Sequence, residues 1–278
     1  MTDPGAPAAE PGSGYAPVNG LQMYYEVHGS GGGRPLVLLH GNLSTIGVDF
    51  GRVIPALAKG RQVIAVEQQA HGHTADIDRP LSIRLWADDT AALLGHLGVG
   101  QADLFGYSSG SAVAFQLAVD HPELVGKLVL ASFSYRLDGL HPGLMENIGA
   151  LQPEHLAGTP FEQDYARVAP NPGDWPKLIE KIKRMDADLP EWSADDVRDL
   201  AAPVMLVIGD SDIVQPEHTV ETFRLLGGGV AGDMAGLPRS RLAVLPGTTH
   251  VTLVQRADWL GSMVGEFLDA DVQANQVG

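Results

Sequence analysis

The chain has no cysteine among its 278 residues. That excludes disulfide bridges, thiolate metal sites and a cysteine nucleophile, and it leaves the redox compartment open. Basic residues are scarce: 18 Lys and Arg stand against 34 Asp and Glu, a formal charge of −16. A field of that sign repels nucleic acid and anionic membrane surfaces, so neither is expected as a partner. No apolar run approaches the roughly 20 residues that a membrane span needs. The opening "MTDPGAPAAEPGSG" lacks a basic segment and an apolar core, so it does not read as a secretory signal. Its Pro, Ala and Gly content reads as a flexible tail over residues 1–14. With no targeting signal in sight, the expected location is cytoplasmic.

What is present suits a large core. Apolar residues make up 44% of the chain, ordinary for a globular protein. The length favours one large α/β domain carrying an insertion over two full domains. The runs "PLVLL" (35–39), "VIAV" (63–66), "LVLA" (128–131), "VMLVI" (204–208) and "LAVL" (242–245) are continuous rather than alternating. Such runs are expected of parallel strands covered by helices on both faces. "ADLFGY" (102–107) reads as a sixth strand, and "LQMYYEVHG" before them as an antiparallel edge strand.

Helical patterns separate the strands. Residues 81–97 place Leu85, Ala92, Leu93 and Leu97 near one face. "SGSAVAFQLAVDHP" reads as a helix of small residues ending near His121. A last stripe carries Leu253, Leu260, Met263, Val264 and Phe267. Strand alternating with helix implies right-handed crossovers and a doubly wound sheet. Residues 135–202 interrupt the pattern, since no convincing strand occurs there. "DWPKLIEKIKRM" is amphipathic, with Asp174 as the expected N-cap and Leu178, Ile179, Ile182 and Met185 on one face. Ser193 and Asp196 form a capping-box pattern. The segment reads as a helical cap over the sheet's mouth, between core segments 15–134 and 203–278.

In "LFGYSSGSAVA" (104–114) the pattern G-x-S-x-G fits Gly106, Ser108 and Gly110 alone. Ser109 lacks the second glycine and Ser111 lies inside the helix. The run joins a strand to a helix, so Ser108 sits on a sharp turn and projects its hydroxyl above the sheet. Its neighbours two residues away must be small, or the two backbones would clash. Helix-start N–H dipoles lie beside it.

On this elbow, with "LLHGN" (38–42), "EQQAHGHT" (67–74), "GDSDIVQP" (209–216) and "GTTH" (247–250), the chain resembles the α/β-hydrolase family over roughly residues 15–270. The resemblance implies a mostly parallel α/β-hydrolase sheet and a nucleophile–acid–base order of Ser108, Asp212 and His250. Asp212 is preferred to Asp210 because the family's acid stands three residues after the glycine. Asp210 is then expected to shape the turn, and at the family's alternative position, after the "LVLASFSY" strand, the nearest candidate is Asp138, which comes late. The resemblance also assigns the oxyanion hole to the main-chain N–H groups of Asn42 and Ser109, and gives His40 a bracing role. "AHGHT" has Ala70 where the family's turn has glycine. His71 and His73 imitate a metal pair, but nothing nearby supplies further ligands, so no metal is expected. His218 is expected at the surface.

A serine at position 108 separates the chain from relatives that dehalogenate haloalkanes or open epoxides, which need a carboxylate there. "HGNLS" departs from the glycine-rich loop of relatives that release N-terminal proline. The remaining reading is acyl transfer from a small-molecule ester to water, with no cofactor. Lactone opening, as of acyl-homoserine lactones, C–C hydrolysis and cofactor-free perhydrolysis share the same triad. A ligand receptor on the same scaffold is a non-enzymatic alternative. Tyr107, Leu43, Met145 and Trp175 are expected to line an apolar pocket, with His141 and His155 as further cap candidates. Oligomeric state stays open, a homodimer included.

Overall fold

The computed structural model describes residues 12–270. Its strands in chain order are β1 (Gly12–Val18), β2 (Leu21–His28), β3 (Leu36–Leu39), β4 (Val63–Val66), β5 (Ala102–Tyr107), β6 (Val125–Ala131), β7 (Val204–Ser211) and β8 (Arg241–Thr249). They form one sheet in the order β1-β2-β4-β3-β5-β6-β7-β8. β1–β2 and β2–β4 pair antiparallel and every other pair is parallel. The expected tail therefore ends earlier than residue 14: Gly12–Gly14 already pair with β2, while residues 1–11 lie outside the described residues. β2 is not the edge either, because β1 covers its outer side.

Helices α1 (Ile46–Asp49) and α2 (Ile54–Leu57) follow β3, α3 (Ile83–His96) follows β4, and α4 (Ser109–Asp120) follows β5. α5 (Leu144–Gly149), α6 (Pro160–Val168), α7 (Trp175–Asp186) and α8 (Ala194–Arg198) lie between β6 and β7. α9 (Pro216–Leu225) and α10 (Gly232–Ala235) precede β8, and α11 (His250–Leu253) and α12 (Ala257–Asp269) follow it.

Alternation inside the all-apolar strands feeds two cores. Val37, Leu39, Ile64, Val66, Leu104 and Leu130 point to one face, where Trp86 of α3 and Phe115 of α4 cover them. Leu36, Leu38, Val63, Ala65, Phe105 and Val129 point to the other, beneath Phe50, Val264 and Phe267. Each such aliphatic side chain contributes about 1.5–3 kcal/mol on full burial. β8 departs from the expected pattern. As the far edge it has no outer neighbour among the described residues, and Val244 is 46% exposed.

Two helical faces are also corrected. α3 packs on both α4 and β1, which centres its buried side on Ile83, Trp86, Ala87, Thr90 and Leu93, leaving Leu85, Ala92 and Leu97 half-buried. The last stripe is split, with Leu253 in α11 and Leu260, Val264 and Phe267 buried on α12. Asp174 precedes α7 but makes no side-chain capping bond. The 3-10 turn Pro172–Asp174 winds it into helical angles before the helix begins, outside the extended conformation that capping needs. The Ser193–Asp196 capping box is formed.

Strand order explains where a ligand can enter. The connection from β3 leads to β4 on one side, whereas that from β5 leads to β6 on the other. A crevice opens at such a reversal, beyond the carboxyl ends of the two strands. The helical segment between β6 and β7 is tied to the core around it. Trp192 donates to Gln116 Oε1 at 3.1 Å and packs on Phe115. Lys177 and Lys181 reach Asp76 at 2.6 and 2.5 Å, and Thr45 donates to Asp164.

Trp86 is fully buried and meets the His71 ring edge-on at 5.3 Å. Trp86→Ala is expected to cost about 3–5 kcal/mol in urea unfolding. An unchanged midpoint would contradict the core placement.

Candidate active site

Ser108 follows the last residue of β5 and adopts φ 55°, ψ −125°. Its N–H donates to Ala131 O of the neighbouring strand at 2.9 Å, which anchors the strained turn. The flanking glycines are obligatory. A Cβ on Gly106 would lie 2.1 Å from Gly110 O, and one on Gly110 would lie 2.0 Å from Leu39 O. The neighbouring serines are not equivalent to Ser108. Ser111 donates its hydroxyl to Ser108 O at 2.5 Å, and Ser109 Oγ is buried without a partner among the described residues.

His250 joins Ser108 to Asp212. Its Nε2 lies 3.1 Å from Ser108 Oγ and its Nδ1 lies 3.1 Å from Asp212 Oδ1. Asp212 accepts hydrogen bonds only, so Nδ1 carries the proton and Nε2 is free to accept one from the serine. Thr249 caps α11 through a reciprocal bond with Thr252 and sets His250 on its first turn. Tyr107 donates to His250 O at 2.8 Å and stacks on its ring at 5.1 Å. Asp212 is buried, which raises its carboxyl. The bond and charge of His250, Ser132 Oγ at 2.7 Å and Gly209 N at 3.1 Å outweigh that and hold it below the ordinary value. Asp210 is exposed and instead accepts from Gly247 N and Thr248 N at 2.9 and 3.1 Å, shaping the loop that leads to His250.

The loop after β3 lies over the elbow. Gly41 N donates to buried Asp49 at 2.8 Å. His40 contacts Gly41 O at 2.8 Å and accepts from Gln68 N at 3.1 Å. Leu43 takes φ 60° and donates its N–H to His71 Nε2 at 3.0 Å. His71 Nδ1 in turn donates to Gln69 O at 2.9 Å. Burial, more than the nearby His40, lowers the His71 pKa to about 3, so the ring stays a neutral brace. His73 faces Glu67 at 2.9 Å, not His71. The main-chain N–H groups of Asn42 and Ser109 meet no acceptor among the described residues. Two free donors on residues that line one cavity with Ser108 suit an oxyanion.

A cavity of about 110 Å³ opens above Ser108, lined also by Asn42, Ser109, Met145 and Asp186. Three residues expected in its wall are absent from it. Tyr107 is buried beneath His250, with its hydroxyl committed to the main chain. Leu43 is half-buried and packs against the core on the α3 side of the sheet. Trp175 turns into the α7 packing against Tyr165, with ring centroids 5.1 Å apart. His141 and His155 are exposed outside it. His218 is buried rather than at the surface, because Tyr135 folds over it with ring centroids 4.7 Å apart. Ser132, Arg136 and Asp186 were not anticipated. The signal for Asp186 was available, since it occupies an apolar-stripe position of α7 at helical spacing.

A family model described as alpha/beta hydrolase fold matches residues 34–173. The chain is 27% identical over 282 residues to 2-hydroxymuconate semialdehyde hydrolase from Pseudomonas sp. (strain CF600), covering 89% of this chain and 92% of that protein. The solved meta-cleavage product hydrolase CumD from Pseudomonas fluorescens IP01 superposes with a TM-score of 0.70 at 21% identity, covering 91% and 96% of the two chains. An enol-lactonase from Burkholderia xenovorans LB400 gives 0.69 at 19% identity, covering 92% and 100%. At these identities the two structures attest a common fold.

Gly110→Ala is expected to lower thermal stability, by an amount at or above the upper end of the roughly 1–3 kcal/mol typical of overpacking, because a strand carbonyl, not a flexible side chain, occupies the space. Calorimetry measures it. For His71, nitrogen-detected NMR should show the Nδ1-protonated tautomer, unchanged from neutral pH down to about 4. The unfolded ring binds a proton that the folded ring refuses, so His71 opposes folding as pH falls below its unfolded value of 6.5. A ring that titrates near 6.5 would contradict this.

Proposed function

The chain belongs to the α/β-hydrolase fold family, and from that premise we propose that it is a serine hydrolase cleaving carboxylic esters of small molecules. The observation that carries the reading is one imidazole held 3.1 Å from both a strained-turn serine hydroxyl and a buried aspartate. Serine is a weak nucleophile until a base takes its proton, and the base needs an orienting acid. Ser108 Oγ attacks the ester carbonyl while His250 Nε2 accepts the hydroxyl proton. Asp212 holds the tautomer and stabilises the imidazolium. The N–H groups of Asn42 and Ser109 bind the oxyanion. His250 then gives its proton to the leaving alcohol as the C–O bond breaks, leaving an acyl-enzyme at Ser108. Water, deprotonated by the same imidazole, releases the acid and restores the serine. The steps use only these groups and water.

A second reading is supported by the relatives. Lactone opening is ester cleavage with the leaving alcohol still tethered, and an enol-lactonase shares the fold. C–C bond hydrolysis is supported by the 27% identity to 2-hydroxymuconate semialdehyde hydrolase.

Turnover of p-nitrophenyl esters from acetate to decanoate separates the esterase reading from a ligand receptor, which turns simple esters over slowly or not at all. A rate that peaks at one chain length supports the esterase and sizes the acyl pocket. Ser108→Ala is expected to lower kcat by on the order of 10³-fold or more while the protein stays folded. Asp212→Asn should do far more damage than Asp210→Asn. Equal losses would overturn the choice of acid, and retained turnover in Ser108→Ala would sink the mechanism.

A further inference from the structure

α7 buries Trp175, Leu178, Ile179, Ile182, Met185 and Asp186 on one stripe. Spacing demands an apolar side chain at the last of these positions, yet a carboxylate stands there, 6% exposed. Burial pushes its carboxyl up to about 6, against only the side chain of Asn42. It is the final residue of the helix, where unsatisfied carbonyls already carry partial negative charge. Among the described residues no Lys, Arg or His forms an ion pair with it. Both of its hydrogen bonds come from one atom, Asn42 Nδ2, at 3.0 and 3.2 Å. The other end of that amide, Asn42 Oδ1, is buried with no partner among the described residues.

A pair this poorly satisfied does little for the fold. Buried polar groups are normally hydrogen-bonded, and exceptions call for an explanation. The explanation is where the pair faces. Asp186 and Asn42 line the same cavity as Ser108, in a wall otherwise largely apolar, with Leu140, Leu144, Met145 and Ile148. The cation in that wall, Arg136, is already held by Asp138 at 3.0 Å and Glu221 at 3.4 Å. An uncompensated acceptor in such a wall attracts a donor or a cation and repels an anion.

Resting on the serine-hydrolase reading above, we propose that Asp186 is a specificity-determining residue. Its carboxylate receives a cationic or hydrogen-bond-donating group of the substrate, selecting esters and lactones that carry an ammonium, amide N–H or hydroxyl over those that carry a carboxylate. The bound donor completes the bonding that the protein leaves unfinished around Asp186 and Asn42. A site built to bond a donor discriminates steeply, because a substrate without one leaves buried polar groups unpaired.

The test uses three p-nitrophenyl esters of comparable length at pH 7.5: the neutral heptanoate, the cationic 6-aminohexanoate and the anionic mono-adipate. In the wild type kcat/KM for the ammonium ester should exceed that for the carboxylate ester by about 10²-fold. Asp186→Asn keeps the shape and should bring that ratio to within about tenfold of unity, chiefly through KM. Asp186→Ser should do the same. Melting of the same variants provides an independent readout. Removing an unpaired buried charge should leave Tm unchanged or raise it by a few degrees, whereas a structural aspartate would lose Tm. An ammonium-to-carboxylate ratio that is the same in wild type and both variants overturns the proposal while Ser108→Ala still abolishes turnover. Turnover that survives in Ser108→Ala overturns the hydrolase reading itself, and the proposal with it.

Discussion

The rest of the molecule depends on one close approach of backbone to backbone. At the end of β5 the chain reverses through Ser108 at φ 55°, and α4 starts so near the sheet that Gly110 lies against the carbonyl of Leu39. That proximity puts the helix N-terminus, the serine hydroxyl and the loop after β3 within one small volume. It also explains the composition of α4. A helix buried on nearly every side against β3, β5, β6 and α3 is built from Ser, Gly, Ala and Val, with only Phe115, Gln116 and Leu117 as larger buried residues. Packing density leaves no room for more.

Around that point most polar groups serve to hold others still. His71 fixes Leu43 in a left-handed conformation and Asp49 secures Gly41. Ser132 and Gly209 orient Asp212, and Asp210 secures the loop before His250. The buried His71 and the half-buried His250 have different electrostatic duties. His71 is kept neutral by burial, whereas His250 faces a carboxylate held below its ordinary range. Preorganised groups of this kind need little rearrangement when charge develops on a substrate.

Much of this was legible in the sequence, for a physical reason. Apolar runs of four or five residues at 35–39, 63–66, 128–131 and 204–208 can be little other than covered strands, and they are, whereas the fifth, 242–245, forms the half-exposed edge β8. The elbow was legible because its glycines are required by contact distances, not by preference. The wall of the cavity was not. Tyr107 and Trp175 are aromatic near the site in sequence, but their direction is decided by packing partners far along the chain, His250 and Tyr165. His218 reads as surface from its helix start, and only the fold of residues 135–139 over it makes it buried. Residues 12–14 look like tail because a Gly-Ser-Gly run has no strand propensity. They become β1 through main-chain pairing with β2 alone.

The helical segment leaves the sheet after Ala131 and returns at Val204, on two strands that lie side by side, with Ala131 opposite Val207. Its two ends are thus neighbours in the sheet, and its length is decoupled from the strands that carry Ser108, Asp212 and His250. Such an arrangement is modular in evolutionary terms. Insertions, deletions or wholesale exchange of the segment would remodel the cavity above Ser108 while the strands beneath it keep their register, so a lineage can acquire a new specificity by rewriting one excursion of the chain.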